Sequence, residues 1–193
     1  MRHLKKLALT VAAVAALSAV VSVGTASATA LYSGGAMLGA GTKVEVTGTN
    51  GVFKAGFATF ECSHSELEGK TSSTGGASET VQIPLSTSIF RECNSTWKTL
   101  KNGAWTLHWT SGSNATVTSE GWEFTVTLGG STSCVYGTPT ATDIGTLTGG
   151  NPATLNASAS FTRIAGGFLC ANPATWTMNF TFITPRPLEV AAS

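Results

Sequence analysis

Charge is what this 193-residue chain has least of: Lys and Arg together number 11, Asp and Glu 10, and His 3. A chain so composed carries no basic stripe for nucleic acid or anionic lipid, because both need clustered cations. After residue 28 no run of like sign occurs either, which removes acidic-tail and basic-arm readings for that part. Beyond residue 28 the histidines are His64 and His108 and the one aspartate is Asp143. A serine nucleophile needs a base and an orienting group in hydrogen-bond reach. Neither histidine sits in a recognisable motif, and no G-x-S-x-G is present. Helical periodicity is missing too: after residue 28 no stretch sets apolar residues at i, i+3, i+4 spacing.

The amino-terminal segment reads as an export leader. Arg2, His3, Lys5 and Lys6 form a basic head, and residues 7–23 form an uncharged run rich in Ala, Val and Leu. Thr25-Ala26-Ser27-Ala28 then offers small residues at −3 and −1 for cutting after Ala28. The competing reading is a retained anchor. A run of about 17 residues lies at the short edge of what spans a bilayer, and no basic cluster follows it, so cleavage is favoured. No paired arginines precede the run and no cysteine at the cut could take a lipid. The expectation is a helical signal peptide over 1–28 and one secreted or envelope-associated domain over 29–193, with no membrane association after cleavage. The leader removes three basic residues and no acidic one, so the remainder carries net charge −2.

All four cysteines (Cys62, Cys93, Cys134, Cys170) fall in that remainder. An even number in an exported chain implies two disulfides. Four cysteines allow three connectivities, and a topological argument favours Cys62–Cys93 and Cys134–Cys170. Each pair encloses enough chain for one excursion out and back to the same end of a fold.

Ser and Thr exceed a quarter of the residues after the leader, and Gly is abundant. Thr suits the wet face of a sheet and Gly suits turns. Low charge with five Trp and nine Phe argues against disorder. Val44 and Val46 alternate with polar neighbours over 42–49, and Asn50-Gly51 then predicts a hairpin turn. A returning strand runs from 52 to 62, with a short one at 67–71. A longer one at 80–91 holds Pro84, which implies a sheet edge or a bulge. Asn102-Gly103 predicts another tight turn, followed by Trp105, Leu107 and Trp109 in alternation with Thr106, His108 and Thr110. Ser111-Gly112-Ser113-Asn114 marks a turn before strands at 115–119 and 122–128, and three more follow at 134–141, 153–164 and 175–184. About ten short antiparallel strands read as a two-sheet β-sandwich, with a closed β-barrel as the second reading.

Candidate chemistry is sparse. Cys62, His64, Glu66 and Glu68 would share one face of an unbroken strand and so resemble a metal-ligand row. A disulfide at Cys62 removes that ligand, so a polar loop is the preferred reading, with no metal and no cofactor expected. Glu120 and Glu123 supply a pair of carboxylates of the glycosidase type, without a spacing that calls for it. No catalytic residue is assigned. Trp97, Trp105, Trp109, Trp122 and Trp176 are candidate stacking platforms for sugar rings or a partner protein, against the competing reading that alternating Trp and Leu face a core. Four Asn-x-Ser/Thr triplets, at Asn94, Asn114, Asn156 and Asn179, are what chance yields in so Ser/Thr-rich a chain.

Three blocks carry a resemblance: residues 59–71 (TFECSHSELEGKT), 133–137 (SCVYG) and 143–150 (DIGTLTGG). They are similar to a family of secreted, Cys-paired, β-rich proteins of high-GC Gram-positive soil bacteria. That resemblance implies export and disulfides; it transfers no activity and no site residue. The combined expectation is a non-catalytic structural or binding domain whose partner is a cell-wall glycan or an extracellular protein. The alternatives are an extracellular hydrolase and a carbohydrate-binding or inhibitor-like module.

Overall fold

The computed structural model describes residues 28–75 and 80–193, so the expected leader lies outside the described residues. The described elements are strands: β1 (Thr29–Ser33), β2 (Ala36–Met37), β3 (Lys43–Ala55), β4 (Ala58–Lys70), β5 (Val81–Cys93), β6 (Trp97–Ser111), β7 (Asn114–Leu128), β8 (Thr132–Gly137), β9 (Thr142–Thr148), β10 (Thr154–Ala165), β11 (Ala174–Thr184) and β12 (Glu189–Ala192). The all-β expectation holds, but the two-sheet sandwich gives way to the closed barrel.

Neighbouring strands follow chain order from β3 to β7, and β11 returns to pair with β3, with Phe180 opposite Gly48. β8 and β9 share one wall position. Both lie between β7 and β10, β8 along residues 123–128 of β7 and β9 along 114–119. The wall therefore has eight antiparallel positions. Period-two alternation says only that one face of each strand is buried. It is silent on whether the first and last long strands find each other, which is what separates a barrel from a sandwich.

Two turn signals prove to be bulges inside long strands. β3 runs straight through Asn50-Gly51, where Asn50 adopts φ 55°. β6 likewise passes through Asn102-Gly103, with Gly103 at φ 65°. Asn and Gly tolerate φ > 0 in a bulge as readily as in a hairpin, and the extra twist lets strands of 13 and 15 residues wrap the barrel. The β3–β4 reversal falls later, at Gly56-Phe57, where Ala55 faces Ala58 and Gly56 has φ 64°. Gly112-Ser113 turns β6 into β7 as expected. Pro84 sits where the β5–β6 ladder ends, beside a register shift opposite Glu68 and Gly69. Beyond it β5 has β4 alone as a ladder partner, so the proline falls at a local edge beside a bulge.

Inward residues pack an aromatic column. Phe53 meets Phe60, Trp97, Phe124, Tyr136 and Phe161 with centroids 5.0–6.2 Å apart, mostly edge to face. The column continues through Trp122, Trp176 and Phe180 to Trp105. Each such ring contributes about 1.5–3 kcal/mol by leaving water. Small residues open space where large ones cross. A Cβ on Gly48 would strike Ser65 Oγ and Met178 Sδ, and one on Gly51 would strike Met178 Cε, so this methionine lies across β3 where only glycine fits.

One barrel end is capped by the small sheet β12-β1-β2, whose Leu31 and Val190, with the nearby Leu188, join the core. Trp109 N–H donates to Thr29 Oγ1 at 2.8 Å, tying that cap to β6. The opposite end carries the β3–β4, β5–β6, β7–β8 and β10–β11 connections. Both disulfides stand there with the expected pairing. Cys62 faces Cys93 directly on adjacent strands, Cα to Cα 4.0 Å. Cys134 on β8 holds Cys170 of the β10–β11 loop, Cα to Cα 5.7 Å.

Candidate functional site

The tryptophans do not form an exposed platform. Trp105, Trp122 and Trp176 are covered inside the barrel at 0–2% exposure. Trp97 is half-buried, with Phe124 stacked on it at 4.9 Å and Phe90 and Phe53 against it. Trp109 reaches the surface at the β6–β7 hairpin, where its Nε1 donates to Gly112 O at 2.8 Å. Stacking needs a free ring face, so the core reading describes these residues better than the platform reading.

The row at Cys62 divides. Cys62 turns inward to its disulfide, while His64, Glu66 and Glu68 keep to the outer wall, because the strand changes phase between Cys62 and the buried Ser65. His64 Nε2 lies 3.0 Å from Glu66 Oε1, and Arg91 Nη2 lies 3.5 Å from Glu66 Oε2. The hydrogen bond from His64, with the charge of Arg91 behind it, holds the Glu66 carboxyl below its ordinary value. Ser63 Oγ points elsewhere, donating to Glu92. His108 is exposed on the outer face of β6, opposite Thr116. Glu123 is occupied by Lys101 Nζ at 2.6 Å, while Glu120 stands exposed opposite Ala104. The structure thus brings His64 and Glu66 together and leaves the other candidates apart.

A groove that the sequence did not announce opens in the wall between β9 and β10. β10 pairs with β9 at 154–157 and with β8 from 162, so residues 158–161 have β11 alone as a ladder partner. Opposite them the chain leaves the ladder through residues 138–141, between β8 and β9, with 139–141 exposed. The detour is anchored by buried Thr138, whose Oγ1 meets Ser119 Oγ and the Trp122 N–H, each at 3.3 Å. Backbone polar groups alternate sides along a strand. About half of those in 158–161 therefore face the opening rather than a neighbouring strand.

Thr142, Asp143, Thr146, Ser158, Ser160 and Thr175 line this groove, whose volume is about 500 Å³. Asp143 Oδ1 accepts the Gly145 N–H at 3.0 Å, which fixes the carboxylate at the rim. Gly145 has φ 141°, and a Cβ there would strike the Asn156 carbonyl. Five hydroxyls, one oriented carboxylate and unpaired backbone make a surface suited to a hydroxyl-rich, uncharged solute.

No protein-family model, curated protein or solved structure matches this chain. What the groove can do rests on its own chemistry. The nearest signal in sequence was the Asp143-Ile144-Gly145 block, where a glycine interrupts an otherwise alternating strand.

Proposed function

We propose that this protein works outside the cytoplasm as a non-catalytic binding barrel, taking a neutral glycan in the groove between β9 and β10. Two disulfides fit an oxidising location, and the leader expected over 1–28 supplies a route there. The resemblance to secreted proteins of Gram-positive soil bacteria supports export. The carrying observation is the break in the wall, where Asp143, Ser158, Ser160 and Thr175 meet backbone that has no ladder partner on one side. With the barrel interior packed by aromatic rings, a ligand has the outer surface to use. Neutral saccharides offer the matching donors and acceptors without demanding charge.

The test is binding to a glycan array and to purified cell-wall polymers, comparing the parent chain with Asp143→Ala and Ser158→Ala/Ser160→Ala. Retention that weakens in both variants supports the groove. Equal retention in all three moves the site elsewhere.

The second reading, an extracellular hydrolase, has one observation in its favour, the His64–Glu66 contact at 3.0 Å. Turnover in a broad hydrolase screen that His64→Ala abolishes would establish it in place of the binding role.

A further inference from the structure

The barrel end opposite the small sheet is unusual in its chemistry. Its four connections, residues 56–57, 94–96, 129–131 and 166–173, contain no ionisable side chain. They do contain the two most exposed large apolar residues among those described, Phe168 at 93% and Phe57 at 84%, with Leu169 at 41% next to Phe168 in the chain. The two phenylalanine turns are neighbours, since a Cβ on Gly56 would lie 3.2 Å from the Ala171 Cβ. A single exposed apolar side chain is ordinary. Two nearly bare rings on adjacent turns that carry no charge of their own are not.

The loop carrying Phe168 is tied down at several points. Cys134–Cys170 closes its base. Arg163 Nη1 reaches across it to Cys170 O at 2.6 Å and Gly167 O at 3.3 Å. Tyr136 Oη donates to Ala171 O at 3.1 Å, and Asn172 Oδ1 accepts the Arg163 N–H at 3.0 Å. The Cys170 N–H closes a turn onto Gly167 O at 3.0 Å, which puts Phe168 on its corner. Two consequences follow. The loop is a knob and not an extended segment, so it does not fit a cleft that binds strands. Its carbonyls at 167, 170 and 171 are already satisfied from within, so the tip can leave water without orphaning them.

We propose that this end of the barrel seats on a neutral lipid surface, with Phe57, Phe168 and Leu169 entering the headgroup–acyl boundary. The occupant follows from three features. The turns carry no charge of their own, and the charges set back from them (Lys54, Glu61, Glu92 and Arg163) are two of each sign, which matches zwitterionic headgroups rather than an anionic leaflet. Rings on separate convex turns suit a medium that deforms around them better than a partner with fixed pockets. The outer wall bears Thr, Ser and Asn on β10 and β11, which limits contact to the tip. Overall composition conceals this, because it reports charge and not the placement of two rings. The inference is independent of the glycan groove, which lies on the wall.

The test is co-sedimentation of the oxidised full chain with phosphatidylcholine vesicles at low and high salt. The parent chain is expected to bind with little salt dependence. Phe168→Ser and Phe57→Ser, both at exposed positions, should each weaken binding about tenfold or more. Binding confined to anionic vesicles and lost in salt would overturn the proposal. So would no vesicle binding, whether the chain stays monomeric or self-associates in a way that Phe168→Ser abolishes; the latter result assigns the end to a second copy. Glycan binding by the serine variants should match the parent, so that failure here and failure of the groove are read separately.

Discussion

Trp122 and Trp176 meet edge to face in the middle of the barrel, ring centroids 5.5 Å apart and planes at 82°. They come from β7 and β11, which do not pair with one another, so the contact exists because the wall closes around it. Both rings are essentially without solvent contact, as is Trp105. Most tryptophan emission of the native protein should therefore be blue-shifted and resist acrylamide, with a smaller quenchable part from Trp109 and Trp97, and all of it should become red-shifted and quenchable on denaturation. Red-shifted, freely quenched native emission would mean that the aromatic column is not the core.

The two disulfides close chain segments of 31 and 36 residues. Chain entropy assigns each roughly 3.5–4 kcal/mol, a large part of a typical total of about 5–15 kcal/mol. Urea unfolding of Cys62→Ala/Cys93→Ala and of Cys134→Ala/Cys170→Ala should each show losses of that order. Their local effects should differ. Cys62 and Cys93 already face each other across a strand pair, whereas Cys170 lies in a loop. Removing the second bridge should accordingly speed amide exchange in 166–173 more than removing the first does around 62 and 93.

Gly145 is where the groove depends most on a missing side chain. Its φ of 141° and the nearby Asn156 carbonyl leave an alanine Cβ both strained and obstructed. Gly145→Ala should destabilise by about 1–3 kcal/mol or more. Gly167 has open space at its Cβ position, so Gly167→Ala should stay within about 0.5 kcal/mol of the parent. Thermal or urea midpoints of the two variants decide the matter. Equal effects would contradict the close approach of β9 and β10.

Two titrations bear on the fold from opposite sides of neutrality. The Glu66 carboxyl is held below its ordinary value, first by the His64 hydrogen bond and then by Arg91. A depressed acid stabilises the fold above its unfolded pKa and loses that contribution as pH falls through its folded pKa. The stability difference between parent and Glu66→Gln should thus be present at neutral pH and shrink on acidification below about 4. Tyr136 behaves in the opposite sense. Burial pushes its phenol up, partly opposed by Arg163, so its contribution is complete below the ordinary tyrosine value and falls as pH rises past about 10. Absorbance at alkaline pH should show one of the two tyrosines ionising late; Tyr136→Phe should remove that step.

Much of this architecture was legible in the residues. Alternation of Trp105, Leu107 and Trp109 with threonine marked β6, and Trp122 to Leu128 marked half of β7, because burying one face of a strand forces period two. The cysteine pairing was legible from the excursions between bridges. Asn50-Gly51 and Asn102-Gly103 misled because a left-handed residue serves a bulge and a hairpin equally well. Barrel closure was not legible, since Phe180 and Gly48 lie far apart in the chain and nothing local to either records the other. The groove was hidden for the same reason. It arises from a change of register along β10, and Ser158 and Ser160 look like any wet-face serines until their missing neighbour is known.

The measurement that bears most directly on a filled, closed barrel working from its outer surface is the set of cross-strand proton contacts between β11 and β3, read together with amide exchange. Closure predicts contacts between Phe180 and Gly48 and between Trp176 and Phe53, with slow exchange on both strands. Absence of those contacts, with fast-exchanging amides along one side of β3 and of β11, would show two free sheet edges and contradict it.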